Sequence, residues 1–251
     1  MPAEATSHPR AQSGKLVSIS IVSHRHGALV HDLLRDIARH CPGIEVLLTI
    51  NVEETLPFDS AQFAFPLRVI RNAVPKGFGA NHNAAFRKAA GQYFCVLNPD
   101  IRLTADPFPV LIAALAEAGV GVAAPRIVNP DGETEDSARR FPTPWAIVRK
   151  AFAGVPHHDY EITNVPLRPE WVAGMFMLFR SAVFGEIAGF DERYFLYYED
   201  VDLCRRLRSR GYDVRLVPSV SAVHDARRQS RGNLRHLRWH LASMLRFFLL
   251  R

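Results

Sequence analysis

LVSISIVSHRHGALVHDLLRDIARHCPGIEVLLTI, residues 16–50, holds three segments whose hydrophobic patterns differ. Residues 16–22 are short and rich in β-branched side chains, which is typical of a buried strand, and residues 44–50 have the same character. Between them, residues 28–39 repeat apolar side chains at helical spacing before the stop at Cys41-Pro42-Gly43. Strand, helix and strand in this order predict two parallel strands covered by a helix.

The same alternation continues along the chain. Further strands are predicted at 67–70, 92–97, 120–124, 171–179, 214–217 and 220–223, and further helices at 80–90, 107–118, from 181, and at 199–210. The pattern indicates an α/β fold with a mostly parallel open sheet and helices on both faces. Residues 125–169 are rich in proline and turn signals, and we interpret them as an irregular crossing over an active site.

Composition excludes several classes of protein. The chain has 251 residues, of which 48% are hydrophobic and 22% are charged, so it is neither a disordered tail nor a collagen-like fibre. Its three cysteines are odd in number and far apart, which matches neither a disulfide framework nor a structural zinc site and suggests a reducing compartment. The polar start of the chain does not look like a signal peptide, and no span reaches the ~20 apolar residues that a bilayer requires. We therefore expect a cytoplasmic protein.

The positive charge is concentrated at one end of the chain. Residues 1–200 carry 19 Lys and Arg against 22 Asp and Glu, whereas residues 201–251 carry 12 Arg against 3 acids. Such an end suits nucleic acid, an anionic membrane or a phosphorylated substrate. Nucleic acid is not favoured, because no recognition motif accompanies the charge. Residues 233–250 predict a basic amphipathic helix, which either packs on the domain with a solvated charged face or lies on a membrane.

Two groups of side chains predict a metal site. Asn98-Pro99-Asp100 follows an apolar strand, so Asp100 belongs at the carboxyl edge of the sheet, where a carboxylate can bind a divalent cation that holds a diphosphate. The alternative is a simple Asx turn. His224 ends another predicted strand and is either a structural histidine or a second ligand beside Asp100.

A third group is acidic. Tyr198-Glu199-Asp200 leads into a helix, Asp202 lies in the same helical turn as Glu199 and Asp200, and several aromatic residues precede them. Acids at a helix N-terminus are stabilised by the helix dipole, which is one explanation. The other is a carboxylate whose pKa is raised by apolar surroundings and which acts as a general base. The glycine-bearing turn at 76–83 either lets the backbone approach a phosphate or is a tight strand-to-helix connection.

Taken together, these segments resemble the inverting family-2 glycosyltransferases of the GT-A, nucleotide-diphospho-sugar fold, and most closely their rhamnosyltransferase-like branch. The resemblance covers residues 16 to about 248. It is carried by KGFGANHNAAF at 76–86, LNPD at 97–100, NPDGE at 129–133, RRFPT at 139–143, WVAGMFMLFR at 171–180, GFDERYFLYYEDVDLCRRLRSRGYDV at 189–214 and VPSVSAVHD at 217–225.

The resemblance implies a role for each matching residue. Asp200 corresponds to the general base, and Asp100 and His224 correspond to ligands of a divalent cation, Mg²⁺ or Mn²⁺. Donor contacts are expected from Ser23, Asn51, Asn83, Asn98, Asp100, Arg227, Arg228 and Arg231, and acceptor contacts from Gly174, Met175, Tyr198 and Glu199. The three arginines suit a diphosphate because guanidinium groups bind it by bidentate contacts.

The implied reaction is transfer of a sugar, rhamnose from dTDP-rhamnose, to a cell-surface polysaccharide or lipid-linked glycan, in the cytoplasm or at the inner face of the membrane.

Two positions depart from the family pattern: Thr49-Ile50-Asn51 stands where Val-Asp-Asn is common, and Asn98 replaces the first acid of Asp-x-Asp. They motivate the alternative of a catalytically silent nucleotide-sugar-binding protein. The expected organisation is a disordered segment at 1–15, the transferase domain at 16–225, and a basic loop and helix at 226–251.

Overall fold

The structure, a computed structural model, describes residues 16–145, 159–225 and 234–249. Within these residues an eight-stranded sheet contains β1 (Val17–His24), β2 (Ile44–Val52), β3 (Leu67–Arg71), β4 (Tyr93–Leu97), β5 (Ile101–Arg102), β6 (Val120–Val128), β9 (Phe176–Arg180) and β10 (Asp213–His224). Across the sheet the strand order is β3-β2-β1-β4-β9-β6-β10-β5. The short strands β7 (Ala138–Arg139) and β8 (Trp171–Val172) pair separately.

Helices cover both faces of the sheet, as the sequence predicts. They are α1 (Gly27–His40), α2 (Phe78–Phe86), α3 (Phe108–Ala116), α4 (Ser181–Glu186), α5 (Glu199–Ser209) and α6 (Leu234–Leu249). The side chains of β4 alternate between two cores: Cys95 and Leu97 join the core that contains α1 and α3, whereas Phe94 and Val96 join the core that contains α4 and α5. This alternation follows from the two-residue period of a strand.

Strand β9 interrupts the parallel order. It lies antiparallel to both β4 and β6, whereas β1 is parallel to β2 and β4, β2 to β3, and β6 to β10. The prediction of a mostly parallel sheet is confirmed, because four of its seven strand pairings are parallel and the antiparallel ones involve β9 or the short edge strand β5.

Two predicted strand boundaries are wrong. The apolar run 171–179 is divided between β8 and β9, because the backbone at Gly174 leaves the ladder and its N–H donates to Asp200. Conversely, the strands expected at 214–217 and 220–223 form the single strand β10, whose register shifts between Val217 and Ser221. Pro218 lies in this shift and has no N–H for the ladder, so a bulge is expected there.

Helix α2 is shorter than predicted, ending at Phe86 rather than near residue 90. Beyond it, the N–H of Ala90 donates to a carboxylate oxygen of Glu45 at 2.6 Å, and the N–H of Gly91 donates to the hydroxyl of Ser18 at 2.8 Å. These two buried side chains from the sheet thus bind backbone groups that a longer helix would use internally. The three cysteines are buried and unpaired.

The predicted C-terminal helix is confirmed as α6. Residues 1–15 and Arg227, Arg228 and Arg231, for which we predicted a disordered segment and diphosphate contacts, lie outside the described residues.

Candidate active site

A polar cluster centred on Glu54 lies at the carboxyl end of β1. The hydroxyl of Ser23 donates to Glu54 Oε1 at 2.5 Å, and the backbone N–H groups of Arg25 and Gly27 donate to the same carboxylate at 3.1 and 2.9 Å. A Cβ at Gly27 would lie 2.9 Å from Glu54 Oε2 and 3.0 Å from Pro57 Cδ, so a larger residue would displace the Glu54 carboxylate. The predicted donor residue Ser23 is therefore buried and held by a carboxylate that sequence reasoning did not identify.

Asn51 lies at the end of the neighbouring strand and holds the loop that precedes α2. Its side-chain oxygen accepts from the N–H of Lys76 at 2.8 Å and from the amide of Asn72 at 2.9 Å, and its amide donates to the Lys76 carbonyl at 3.0 Å. Sequence alone assigns Asn51 to donor contact, and the structure shows that it also fixes the 72–76 loop.

The glycine-bearing turn before α2 is explained by close packing. A Cβ at Gly77 would lie 2.7 Å from the carbonyl oxygen of Phe195, and one at Gly79 would lie 2.5 Å from Phe190. Asn83, predicted as a donor contact, is buried, and its amide exchanges hydrogen bonds with the backbone of Phe190 at 2.8 and 2.9 Å. The geometry thus favours the tight-connection alternative for this turn, with Asn83 tying α2 to the loop before α5.

Asp100 and His224 lie side by side, as the metal hypothesis requires. His224 Nε2 is 3.3 Å from Asp100 Oδ2, and the N–H of Asp225 donates to the Asp100 carbonyl at 2.9 Å. On its other side, His224 Nδ1 lies 2.7 Å from Glu135 Oε2. Burial lowers the pKa of His224, but hydrogen bonds and charge from Asp100 and Glu135 outweigh it and raise the pKa to about 9.

The donor set at this position fits a divalent cation. Asp100 Oδ1 is buried and has no hydrogen-bond partner within the described residues. Because Glu135 occupies Nδ1, a bound metal that displaced the proton on Nε2 would be ligated by the Nε2 lone pair, which is the usual arrangement of a ligating histidine. In the described part of the chain no group of three or more His, Cys, Asp or Glu side chains converges on one point. Two protein ligands would thus leave the remaining positions to phosphate oxygens and water, as Mg²⁺ sites commonly do.

Asp200 is oriented by two backbone donors at the start of α5. Its Oδ2 accepts from the N–H of Gly174 at 3.0 Å, and its Oδ1 accepts from the N–H of Val201 at 2.8 Å. A Cβ at Gly174 would lie 3.6 Å from Asp200 Cβ and 3.3 Å from the ring of Phe78, so the strand backbone passes close to the carboxylate. Burial raises the pKa of Asp200 above its ordinary value, and these hydrogen bonds partly oppose the rise.

The neighbouring acid Glu199 differs from Asp200. It is buried, its Oε2 has no hydrogen-bond partner in the part of the chain that the structure describes, and burial together with the Asp200 charge raises its pKa well above the ordinary value. Of these two neighbouring acids, Glu199 is the one whose charged form is disfavoured more strongly.

The loop before these acids has a strained backbone. Tyr197 and Tyr198 both have left-handed dihedrals, with φ of 70° and 67°, which bulky residues rarely adopt. The ring of Tyr198 packs against His240 and Phe247 of α6, with ring centroids 5.4 and 5.5 Å away. Its predicted contact with an acceptor stays a prediction, whereas its packing on α6 is observed.

Backbone contacts bring the two acidic positions to one region of the sheet. The N–H of Asn98, two residues before Asp100, donates to the Met175 carbonyl at 2.9 Å, and the adjacent Gly174 binds Asp200. Arg139 also acts on Asp200. Its guanidinium stacks 5.3 Å from the centre of the Trp171 ring, and its positive charge lowers the pKa of Asp200. Backbone contacts thus link Asn98, Asp100, Gly174, Met175 and Asp200. Their roles toward donor, acceptor and metal stay predictions.

This arrangement, with an open-edged α/β sheet and acidic groups at its carboxyl ends, has the architecture of the GT-A glycosyltransferases. The structure superposes on that of GalNAc-T7 with UDP, GalNAc and Mn²⁺, with a TM-score of 0.67 at 16% identity over 87% of this chain and 45% of that one. It also superposes on the mannosyltransferase PcManGT from Pyrobaculum calidifontis in complex with GDP-Man and Mn²⁺, with a TM-score of 0.63 at 17% identity over 92% of this chain and 64% of that one. These similarities show the fold.

Sequence comparison gives the family. The model of glycosyl transferase family 2 matches residues 21–183, so the chain belongs to that family and is a glycosyltransferase. It is 29% identical to rhamnosyltransferase WbbL of Escherichia coli (strain K12) over 92% of both chains. It is 33% identical to the N-acetylglucosaminyl-diphospho-decaprenol L-rhamnosyltransferase of Mycobacterium tuberculosis (strain ATCC 25618 / H37Rv), over 58% of this chain and 51% of that protein. The predicted resemblance to the rhamnosyltransferase-like branch is therefore confirmed.

Proposed function

We propose that this glycosyltransferase is a metal-dependent, inverting rhamnosyltransferase that uses dTDP-rhamnose. The names of the two relatives support the sugar, and the Asp100–His224 pair supports the metal. The observation that carries the proposal is the Asp200 carboxylate, which two backbone N–H groups hold in place at the centre of the linked acidic positions. No covalent nucleophile is required for an inverting transfer.

In the proposed reaction, Asp200 accepts the proton of an acceptor hydroxyl. The hydroxyl oxygen forms a bond to the anomeric carbon as the bond from that carbon to the diphosphate oxygen breaks, and the nucleoside diphosphate leaves with the bonding electron pair. The raised pKa of Asp200 makes it a better proton acceptor than an exposed aspartate, provided that it starts ionised. The raised pKa of Glu199 favours its neutral form, which adds no competing negative charge beside Asp200.

Asp100 and His224 would hold the divalent cation, with Glu135 fixing the imidazole. When bound, the cation supplies positive charge that stabilises the departing diphosphate. Ser23 and Asn51 lie near the carboxyl ends of the neighbouring strands β1 and β2, where open sheets of this type bind nucleotides. Arg227, Arg228 and Arg231 are proposed to clamp the diphosphate on the strength of the sequence alone.

The acceptor is proposed to be a growing surface polysaccharide or a lipid-linked glycan. The name of the Mycobacterium tuberculosis relative, which includes a diphospho-decaprenol, supports a lipid-linked acceptor. We accordingly propose that the enzyme works in the cytoplasm at the inner face of the cell membrane. No helix in the described ranges is long and apolar enough to cross a bilayer.

The test is a donor panel. Thermal shift and transfer assays with several nucleotide sugars, each with Mn²⁺, with Mg²⁺ and with EDTA, should show the largest stabilisation and turnover with dTDP-rhamnose and a cation, because a ligand stabilises the fold according to its affinity. Preference for another sugar nucleotide would refute the donor assignment. Equal turnover in EDTA would refute the metal role.

The alternative is a catalytically silent nucleotide-sugar-binding protein, which the departures at Ile50 and Asn98 favour. It predicts metal-dependent donor binding without hydrolysis or transfer in wild type, and no effect of Asp200→Asn on any measured property. Turnover that depends on Asp200 would exclude it.

A further inference from the structure

Helix α6 has one face packed on the domain. Phe247 is buried, and the hydroxyl of Ser243 donates to the Leu196 carbonyl at 2.9 Å. The hydroxyl of Tyr197 lies 2.9 Å from His236 Nδ1, and the rings of Phe195 and Trp239 lie 4.7 Å apart. The contacts of Ser243, His236 and Trp239 are made to the loop that precedes Glu199 and Asp200, and Phe247 also packs against Arg205 of α5.

The opposite face of α6 is an exposed row of leucines, which we call the leucine face. Its members recur at spacings of three and four residues and are exposed by 77%, 54%, 44%, 55% and 75%, respectively: Leu234, Leu237, Leu241, Leu245 and Leu249. Side chains at this spacing lie along one side of a helix. Of the eleven large apolar side chains that are exposed in the described residues, five lie on this one helix. A contiguous exposed apolar surface of this kind marks an interaction site.

The charge of α6 indicates what covers the leucine face. The helix contains Arg235, Arg238 and Arg246 and has no acidic residue between Leu234 and Leu249. The sequence just before it adds Arg227, Arg228 and Arg231. A second copy of the same helix would bring arginines near arginines with no acid on either helix to pair with them. An anionic lipid surface instead offers apolar chains for the leucines and phosphate groups for the arginines.

We propose that α6 is an interfacial helix whose leucine face inserts into an anionic lipid surface. Because its packed face holds the loop before Asp200, the lipid surface would lie beside the catalytic end of α5. This position suits an acceptor whose glycan is attached to a membrane lipid, a consequence that rests on the proposed function. The lipid contact itself does not depend on the reaction.

The test uses the full chain and sedimentation with vesicles of phosphatidylcholine alone or with phosphatidylglycerol added. Wild type should bind the anionic vesicles, weakly at high salt, and bind the neutral vesicles poorly. The triple variant Leu237→Gln/Leu241→Gln/Leu245→Gln should lose at least about tenfold in vesicle partitioning, since each leucine contributes by apolar burial. Arg238→Gln should lose about fivefold on anionic vesicles only.

The matched control is Val165→Gln, which removes a 65%-exposed apolar side chain outside α6 and should leave partitioning unchanged. Melting temperature and nucleotide-sugar binding report that the variants stay folded. Unchanged vesicle binding by the folded triple variant would overturn the proposal. A second result would also overturn it: light scattering shows that wild type is a dimer and the triple variant a monomer, and neither protein binds vesicles. Loss of transfer activity bears on the proposed function, whereas loss of vesicle binding bears on α6.

Discussion

Asp100 and Asp200 are both acidic groups at the edge of the same sheet, yet their surroundings differ. Both oxygens of Asp200 accept backbone N–H groups, so its orientation is fixed without any ligand. Asp100 has one buried oxygen without a partner in the described chain and the other beside His224. The difference indicates two separate roles: Asp200 is oriented to accept a proton, and Asp100 is placed to bind a cation together with a substrate.

The largest effect is expected from Asp200→Asn, which keeps the size of the side chain, removes its basicity and tests whether the two carboxylates act separately. Transfer should fall by a factor of about 10² to 10⁴, the usual contribution of a general base, while metal-dependent donor affinity stays the same. Steady-state kinetics and calorimetric titration measure the two quantities. Asp131→Asn, an exposed carboxylate elsewhere, is the control. A large loss of donor affinity in Asp200→Asn would mean that the two carboxylates are not separate in function.

At the metal position, Glu135→Gln should lower the affinity for the metal without changing a ligand atom. A residue that orients a ligating histidine typically contributes 10- to 100-fold in metal affinity. We expect a loss of at least about tenfold in the apparent affinity for Mn²⁺, read from activation curves and from nucleotide thermal shifts, with kcat at saturating metal little changed.

Glu133→Gln, two residues earlier and exposed, provides the matched control. If both variants behaved like wild type, the contact between His224 and Glu135 would have no part in metal binding.

The pH dependence should follow Asp200. The base must be ionised, and burial raises its pKa, so the rate should fall as the pH is lowered through a value above the ordinary aspartate range near 4. Measurement of kcat against pH, at saturating donor and metal, gives this limb. A rate that stays flat down to about pH 4 would contradict a buried base.

The smallest predicted effect concerns the strained loop that leads to Asp200. Tyr197→Phe removes the hydroxyl contact with His236 and should cost about 1 kcal/mol in the free energy of unfolding, with a drop of a few fold in turnover. Tyr212→Phe removes a comparable contact with Glu186, far from α6, and should leave turnover unchanged. Urea unfolding and steady-state kinetics measure the free energy of unfolding and the turnover of both variants. Equal turnover of Tyr197→Phe and Tyr212→Phe would show that α6 does not support the catalytic loop.

The sequence predicts the regular parts of the molecule better than its contacts. Alternation of strands and helices from residue 16 onward is correct because local apolar periodicity determines it. The break at Gly174 is hidden, since WVAGMFMLF is apolar throughout and its interruption depends on Asp200, 26 residues later.

The same reason explains which site residues were missed. Asp100, His224 and Asp200 lie in motifs that a resemblance can identify, whereas Glu135 contacts a histidine 89 residues away and Glu54 contacts a serine 31 residues away. No local pattern records such pairings, because they arise only when distant strands meet at one edge of the sheet.

As proposed, Asp200 promotes a single direct displacement at the anomeric carbon. Nuclear magnetic resonance of the isolated product tests it most directly, because one displacement reverses the anomeric configuration and two restore it. A single displacement predicts a glycosidic bond of the opposite configuration to the donor's bond to diphosphate. A product that retains the donor's configuration would contradict it.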